Sequence, residues 1–343
     1  MTNRSATVDG LRLADAMIGV LGTASLLFVL TFRERRFEAT VRAHPIAEHL
    51  LDVAVRGGTR VWAVGHEGRI LYSRDGGQDW LFAESGVDTP LAGVAFRDDM
   101  VGLAVGYGGV ILRTADGGHT WARIPSGVEV YLTAVRFLAG GRALAAGEWS
   151  TILASDDDGA SWHTVTSGEQ DFMIDDVDVT DEGTGWAVGE FGRAMQTSDA
   201  GRSWTPRRIV NDESTLFTVD AIDTTEIWIG GADSVLLHST DGGATWQRSH
   251  APCRATQILR LRFARDRGYA VGRRCVAVTE DGGRSWQASS LGESIQYSWL
   301  YGLDVTPDEA WAVGYGEAVF RAGRGDDSWR RVAVRREEGS AGG

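Results

Sequence analysis

The chain has 343 residues, 43% of them hydrophobic, which is enough for one large domain or two ordinary ones. Its formal charge is −13 and it contains no lysine, which excludes a basic phosphate-binding surface, and so a nucleic-acid partner, and any Schiff-base chemistry. The 45 glycines and 13 tryptophans, against only 6 prolines, describe short strands joined by tight turns.

A tail of residues 1–14 leads into 17 uncharged residues, Ala16 to Phe32 (AMIGVLGTASLLFVLTF), closed by Arg33, Glu34, Arg35 and Arg36. That length sits at the lower edge of a membrane span, and no small-x-small cleavage site follows. A transmembrane helix over 15–36 is therefore expected, touching the bilayer through residues 16–32. The flanking arginines are nearly balanced, Arg4 and Arg12 against Arg33, Arg35 and Arg36, and lean toward a cytoplasmic C-terminus. Residues 37–49 read as a linker, in which Glu38–Arg42 (EATVR) is a candidate ring-closing strand.

From Leu50 onward the chain repeats itself. The octet SRDGGQDW ends at Trp80, and its echoes end at Trp121, Trp162, Trp204, Trp246 and Trp286, spaced 40 to 42 residues apart. A degraded copy, AGRGDDSW, ends at Trp329 with Arg324 in the aspartate place. A second motif runs in step at 41 or 42 residues: WAVG ending at Gly65, LAVG at 106, LAAG at 147, WAVG at 189, WIGG at 231, YAVG at 272 and WAVG at 314. Each unit parses into four short strands, and seven such units over 50–335 predict an all-β, seven-bladed propeller followed by a flexible tail, 336–343.

The octet chemistry is that of a turn. Its aspartates (Asp75, Asp116, Asp157, Asp199, Asp241 and Asp281) accept backbone N–H bonds, its glycines supply backbone shapes closed to a Cβ, and its tryptophans anchor the turn to the blade. Repetition on six blades argues against catalysis, since an active site is built once. The octet resembles the Asp-box, or BNR, repeat of propellers that include sialidases. Taken with the WAVG motif, the chain resembles more closely the Ycf48-like family of photosystem II assembly and stability factors and their bacterial relatives. That resemblance covers about 285 residues. It implies a non-enzymatic propeller that docks on membrane-protein subunits, those of a photosystem first and of a transporter complex next.

Function is sought on the face opposite the octets, where the turns between second and third strands differ from blade to blade. They read HEGR (66–69), YGGV (107–110), EWST (148–151), EFGR (190–193), ADSV (232–235), RRCV (273–276) and YGEA (315–318). Arg69, Arg193, Arg273 and Arg274 are candidates to recognise acidic partner groups. Trp149 and Trp299 fall outside both repeated motifs and are candidate partner anchors. The alternative is a glycan-acting, sialidase-like enzyme or a small-ligand-binding propeller, for which Glu148, Glu190, Asp233 and Tyr315 are available.

No cofactor or metal is expected. Asp156 to Asp158 fall in the octet register, and the seven histidines lack ligand spacing. Cys253 and Cys275 lie on the same face of blade six and are expected to form a disulfide. An oxidised pair favours a propeller on the periplasmic side of the cytoplasmic membrane, against the lean of the arginines.

Overall fold

A computed structural model describes residues 26–33, 36–43, 49–168, 171–210, 213–250, 252, 256–291, 299–326 and 328–334, the first two stretches by backbone alone. The chain divides into two units, Met1–Glu48 and His49–Gly343.

In the first unit, Leu26–Arg33 pairs antiparallel with Arg36–Ala43, in a register running from Leu26 opposite Ala43 to Arg33 opposite Arg36. Two expectations change here. The described part of the anchor is a strand rather than a helix, in keeping with the branched and aromatic residues of LLFVLTFR. The rest of 15–36 lies outside the described residues, and no helix among the described residues is long and apolar enough to cross a membrane. EATVR, for its part, pairs within this hairpin and not with a blade.

The second unit is a seven-bladed propeller: seven four-stranded antiparallel sheets, each made of four consecutive strands. Blade one runs Leu50–Arg56, Arg60–Gly65, Ile70–Ser73 and Leu81–Ala83. Blade seven runs Leu300–Val305, Glu309–Gly314, Ala318–Gly323 and Arg330–Arg331. The second strand is sandwiched between neighbouring blades and buried on both sides, which is why it reads as an unbroken apolar WAVG rather than an alternating pattern. The outermost strands are two to four residues long and largely exposed, too short to template further pairing.

The octets behave as turns. In blade three, Asp157 Oδ1 accepts the Ser161 N–H at 2.8 Å, and the Ser161 hydroxyl donates to its other oxygen at 2.6 Å. Ser155 Oγ takes the Gly159 N–H at 2.9 Å, and the Trp162 indole donates to the Gly159 carbonyl at 3.1 Å. The second octet glycine also faces the WAVG tryptophan of the preceding blade. A Cβ on Gly243 would lie 2.2 Å from Trp186, and one on Gly118 would lie 2.6 Å from Trp62. The same contact is made at the seam that closes the ring, where Gly77 sits on Trp311, and Gly159 and Gly201 meet Leu103 and Leu144 in the matching place.

Around the central channel the seams are stitched by aspartates of the innermost strands. Asp52 of blade one accepts the Val94 N–H of blade two at 3.0 Å. Asp178 and Asp220, of blades four and five, likewise accept Ala221 and Phe263 N–H on the next blade, each at 2.8 Å. Asp304 of blade seven accepts the Val55 N–H of blade one at 2.7 Å, which closes the ring with no shared sheet. Asp176 is the hub: it takes the Thr218 hydroxyl, Arg136 at 3.3 Å and Arg262 at 3.0 Å, the last reaching from blade six to blade four. Asp52, Arg136, Asp178, Asp220, Arg262 and Asp304 line a cavity of about 200 Å³ within this network.

Candidate partner-binding face

The turns between second and third strands, His66–Gly68, Tyr107–Gly109, Glu148–Ser150, Glu190–Gly192 and Ala232–Ser234 in the first five blades, share one face with the connections that enter the blades. Backbone bonds fix the turns of blades two to five twice. Glu148 N–H donates to the Tyr131 carbonyl at the entry of its own blade, and Ser150 N–H donates to the Phe172 carbonyl at the entry of the next. The glycine that ends WAVG permits this approach, since a Cβ on Gly147 would lie 2.0 Å from the Tyr131 oxygen.

The middle residue of each turn adopts a left-handed conformation. Glycine takes it in blade two (Gly108, φ 69°), whereas Trp149 (φ 57°), Phe191 (φ 59°) and Asp233 (φ 51°) take it elsewhere. A side chain there costs about 1 kcal/mol or more. Trp149 and Phe191 gain little burial in return, being 56% and 44% exposed. Tyr107 and Tyr315, one place earlier in their turns, are 57% and 49% exposed. Blades seven, two, three and four thus each raise one aromatic side chain on this face.

Each innermost strand begins with a register shift, a β-bulge, that re-aims one residue. The seven bulge places hold Leu51, Ala92, Thr133, Asp175, Phe217, Leu259 and Tyr301, so a carboxylate occurs at one of them. Asp175 Oδ2 is buried and accepts no hydrogen bond. Burial pushes this carboxyl up to about 8; Arg260 pulls it down, while Glu190 and Asp176 push it further up. The adjacent Tyr131 phenol is also raised, chiefly by burial, in the field of Arg260, Asp175 and Glu148.

Of the residues singled out in the sequence, Trp149 is the open anchor. Trp299 is half-buried beneath Arg273, whose guanidinium lies 4.9 Å from its ring centre. Arg69 forms an ion pair with Glu317 of blade seven, so it ties the closing seam. Arg193 lies over the rings of Phe172 and Phe191. Arg274 is exposed and left-handed (φ 55°). Glu148 and Glu190 each spend an oxygen on a backbone N–H, of Tyr131 and Met173, at 2.9 and 3.0 Å. Among the described residues no group of His, Cys, Asp or Glu is arranged to hold a metal ion. Cys275 is buried and disulfide-bonded, and Cys253 lies outside the described residues.

Tyr107, Phe191 and Asp175 are missing from the sequence-based candidates, and Tyr315 was among them only as a group available to the glycan-acting alternative. Phe191 shares the turn place that marked Trp149, and Tyr107 and Tyr315 stand one place earlier in the same turns, so the turn register was the available signal. Asp175 had none, because nothing in one sequence announces a bulge.

A profile of the photosynthesis system II assembly factor YCF48 family matches residues 83–171 and 166–257, together just over half of the chain. No curated protein matches. The structure of YCF48 bound to D1 peptide is 18% identical with a TM-score of 0.67, covering 87% of this chain and 94% of that one. YCF48 from Cyanidioschyzon merolae gives the same identity and TM-score over 82% and 98%. An ancestral GH74 enzyme is 12% identical with a TM-score of 0.65, over 82% of this chain and 46% of that chain. At these identities the likenesses are of fold. Two repeats in step, seven blades and the profile match over more than half of the length give one conclusion: the chain belongs to the photosynthesis system II assembly factor YCF48 family.

Proposed function

We propose that the chain is a non-enzymatic, membrane-tethered propeller that docks on an integral membrane-protein subunit, that of a photosynthetic complex first, and assists its assembly or stability. The observation that carries this reading is the set of exposed aromatic side chains on the face opposite the octets, two of them in left-handed turns whose cost is not offset by burial. Family membership and a structural relative bound to a D1 peptide support the class of partner.

The proposed tether is the uncharged run 16–32, whose apolar side chains favour lipid over water. The disulfide at Cys275 supports an oxidising compartment, with the propeller on the periplasmic side of the cytoplasmic membrane. A reporter fused to the C-terminus and active only in the cytoplasm would overturn that placement. Anchoring holds the propeller near its client and raises effective concentration.

The direct experiment isolates the tagged chain from native membranes beside a Trp149→Gly, Phe191→Gly double variant. A membrane complex retained by the parent and lost by the variant supports docking. The GH74 likeness in fold keeps the glycan-acting reading open to test: hydrolysis of a glycan panel by the purified parent, with no complex retained, would replace the docking reading.

A further inference from the structure

We propose that the sector of the loop face from blade two to blade four takes a cationic segment of its partner, with an arginine or lysine side chain entering beside Asp175 and its apolar neighbours lying across Tyr107, Trp149 and Phe191. The proposal rests on the docking reading and specifies its chemistry.

The argument begins with Asp175. A carboxyl with a buried oxygen and no donor is costly, and the other six bulge places show that the fold does not require one. Thr133, the neighbouring polar case, is fully satisfied through its hydroxyl contacts to the Ala146 and Ile174 carbonyls. The nearby cation, Arg260, directs Nη1 to the Phe217 and Leu259 carbonyls and forms no hydrogen bond with Asp175. Glu148 and Glu190 flank the same place from the turns of blades three and four and each has one oxygen committed to a backbone N–H.

The rim completes the chemistry. Tyr107 and Tyr131 lie with ring centres 6.0 Å apart, and Trp149 and Phe191 stand exposed on the next two blades. Aromatic faces beside carboxylates suit a guanidinium or ammonium group with an apolar flank. They suit an acidic segment poorly, since the cation of this sector, Arg193, is engaged by the Phe172 and Phe191 rings and the Asp171 carbonyl, while Arg69 is held by Glu317 and Arg273 lies over Trp299.

Binding is linked to a proton. In the free protein the carboxyl of Asp175, raised to about 8 by burial with Glu190 and Asp176 beside it, holds its proton at neutral pH. A bound cation favours the carboxylate, so the proton leaves to solvent and affinity rises with pH toward 8. The groups facing Asp175 are Arg260, Glu190, Asp176, Tyr131 and Glu148.

The test uses the full chain and calorimetry with three peptide probes of equal length: alternating leucine and arginine, the same with citrulline for arginine, and the same with glutamate. The arginine peptide should bind about tenfold or more tighter than either of the others. Asp175→Asn should remove that preference and its pH dependence, and Trp149→Gly should weaken binding with the melting temperature kept. Equal binding of the glutamate peptide overturns the proposal, as does an arginine preference unchanged in Asp175→Asn. Vesicles with choline headgroups that bind the parent but not Trp149→Gly would reassign the face to lipid. A membrane complex that still co-purifies with Asp175→Asn and Glu190→Gln, with no peptide preference in the parent, would leave the docking reading standing and remove this one.

Discussion

The octet aspartates and the channel aspartates accept the same kind of hydrogen bond, from backbone N–H groups, yet their acidities shift in opposite directions. Asp157, Asp241 and Asp281 sit at about 2, held there first by the hydroxyl of the seventh octet residue and then by its N–H. Asp116 and Asp199 reach the same value although burial works against them. Asp52 and Asp178 in the channel are pushed up to about 6 by burial, and Asp220 and Asp304 are raised for the same reason. The octet donors lie within four residues of their aspartate at the solvent edge. The channel donors belong to the next blade, in a buried setting. One set shapes a turn, and the other joins blades.

Removing the hub should separate the two sets most sharply. Asp176→Ala leaves Arg262 and Arg136 buried without their shared carboxylate, and should cost about 3–5 kcal/mol in urea unfolding. Asp199→Ala removes one exposed turn and should cost about 1 kcal/mol. Equal losses would erase the distinction. Asp304→Ala leaves the Val55 N–H unmet at the closing seam and should cost about 2 kcal/mol, between those values.

Acid titration should show both sets in one curve. The folded-state values of about 6 lie above the ordinary 3.8, so Asp52 and Asp178 contribute fully below about pH 4 and lose that stability as pH rises through 6. The octet values of about 2 lie below 3.8, so those carboxylates contribute above it and lose their share as pH falls through 2. The melting temperature should climb by several degrees from pH 7 to about 4.5 and then fall. The climb should shrink in Asp178→Asn, and a flat profile in the parent would contradict the burial argument. The smallest effect is expected at Trp149→Gly, where relief of the left-handed strain should leave stability unchanged or raise it by about 1 kcal/mol. A clear loss there would mean that the indole packs within the chain.

The blade count and the turn role of the octet were legible in the sequence, because each follows from a motif repeated at one spacing. The channel was not. Arg262 and Asp176 stand 86 residues apart and belong to different units of the repeat, so no local pattern links them. The bulge that singles out Asp175 has no residue signature, since six different residue types occupy its seven places. Composition also misread the N-terminal apolar run in part: an uncharged stretch suits a helix in lipid, and the same branched residues from Leu26 to Arg33 form a strand here. Trp299 looked like a free anchor because it breaks the repeat. Only the structure shows Arg273 over it.

The Asp304 seam has a mechanical consequence. Because no blade is assembled from both ends of the chain, a pull along the ends meets a clasp of side chains and packing rather than a sheet to be sheared. The ring should part first between blades seven and one, then release its blades in sequence. For the same reason, new ends cut in any connection between two blades would leave every sheet whole, so the propeller should tolerate circular permutation there once its old ends are joined.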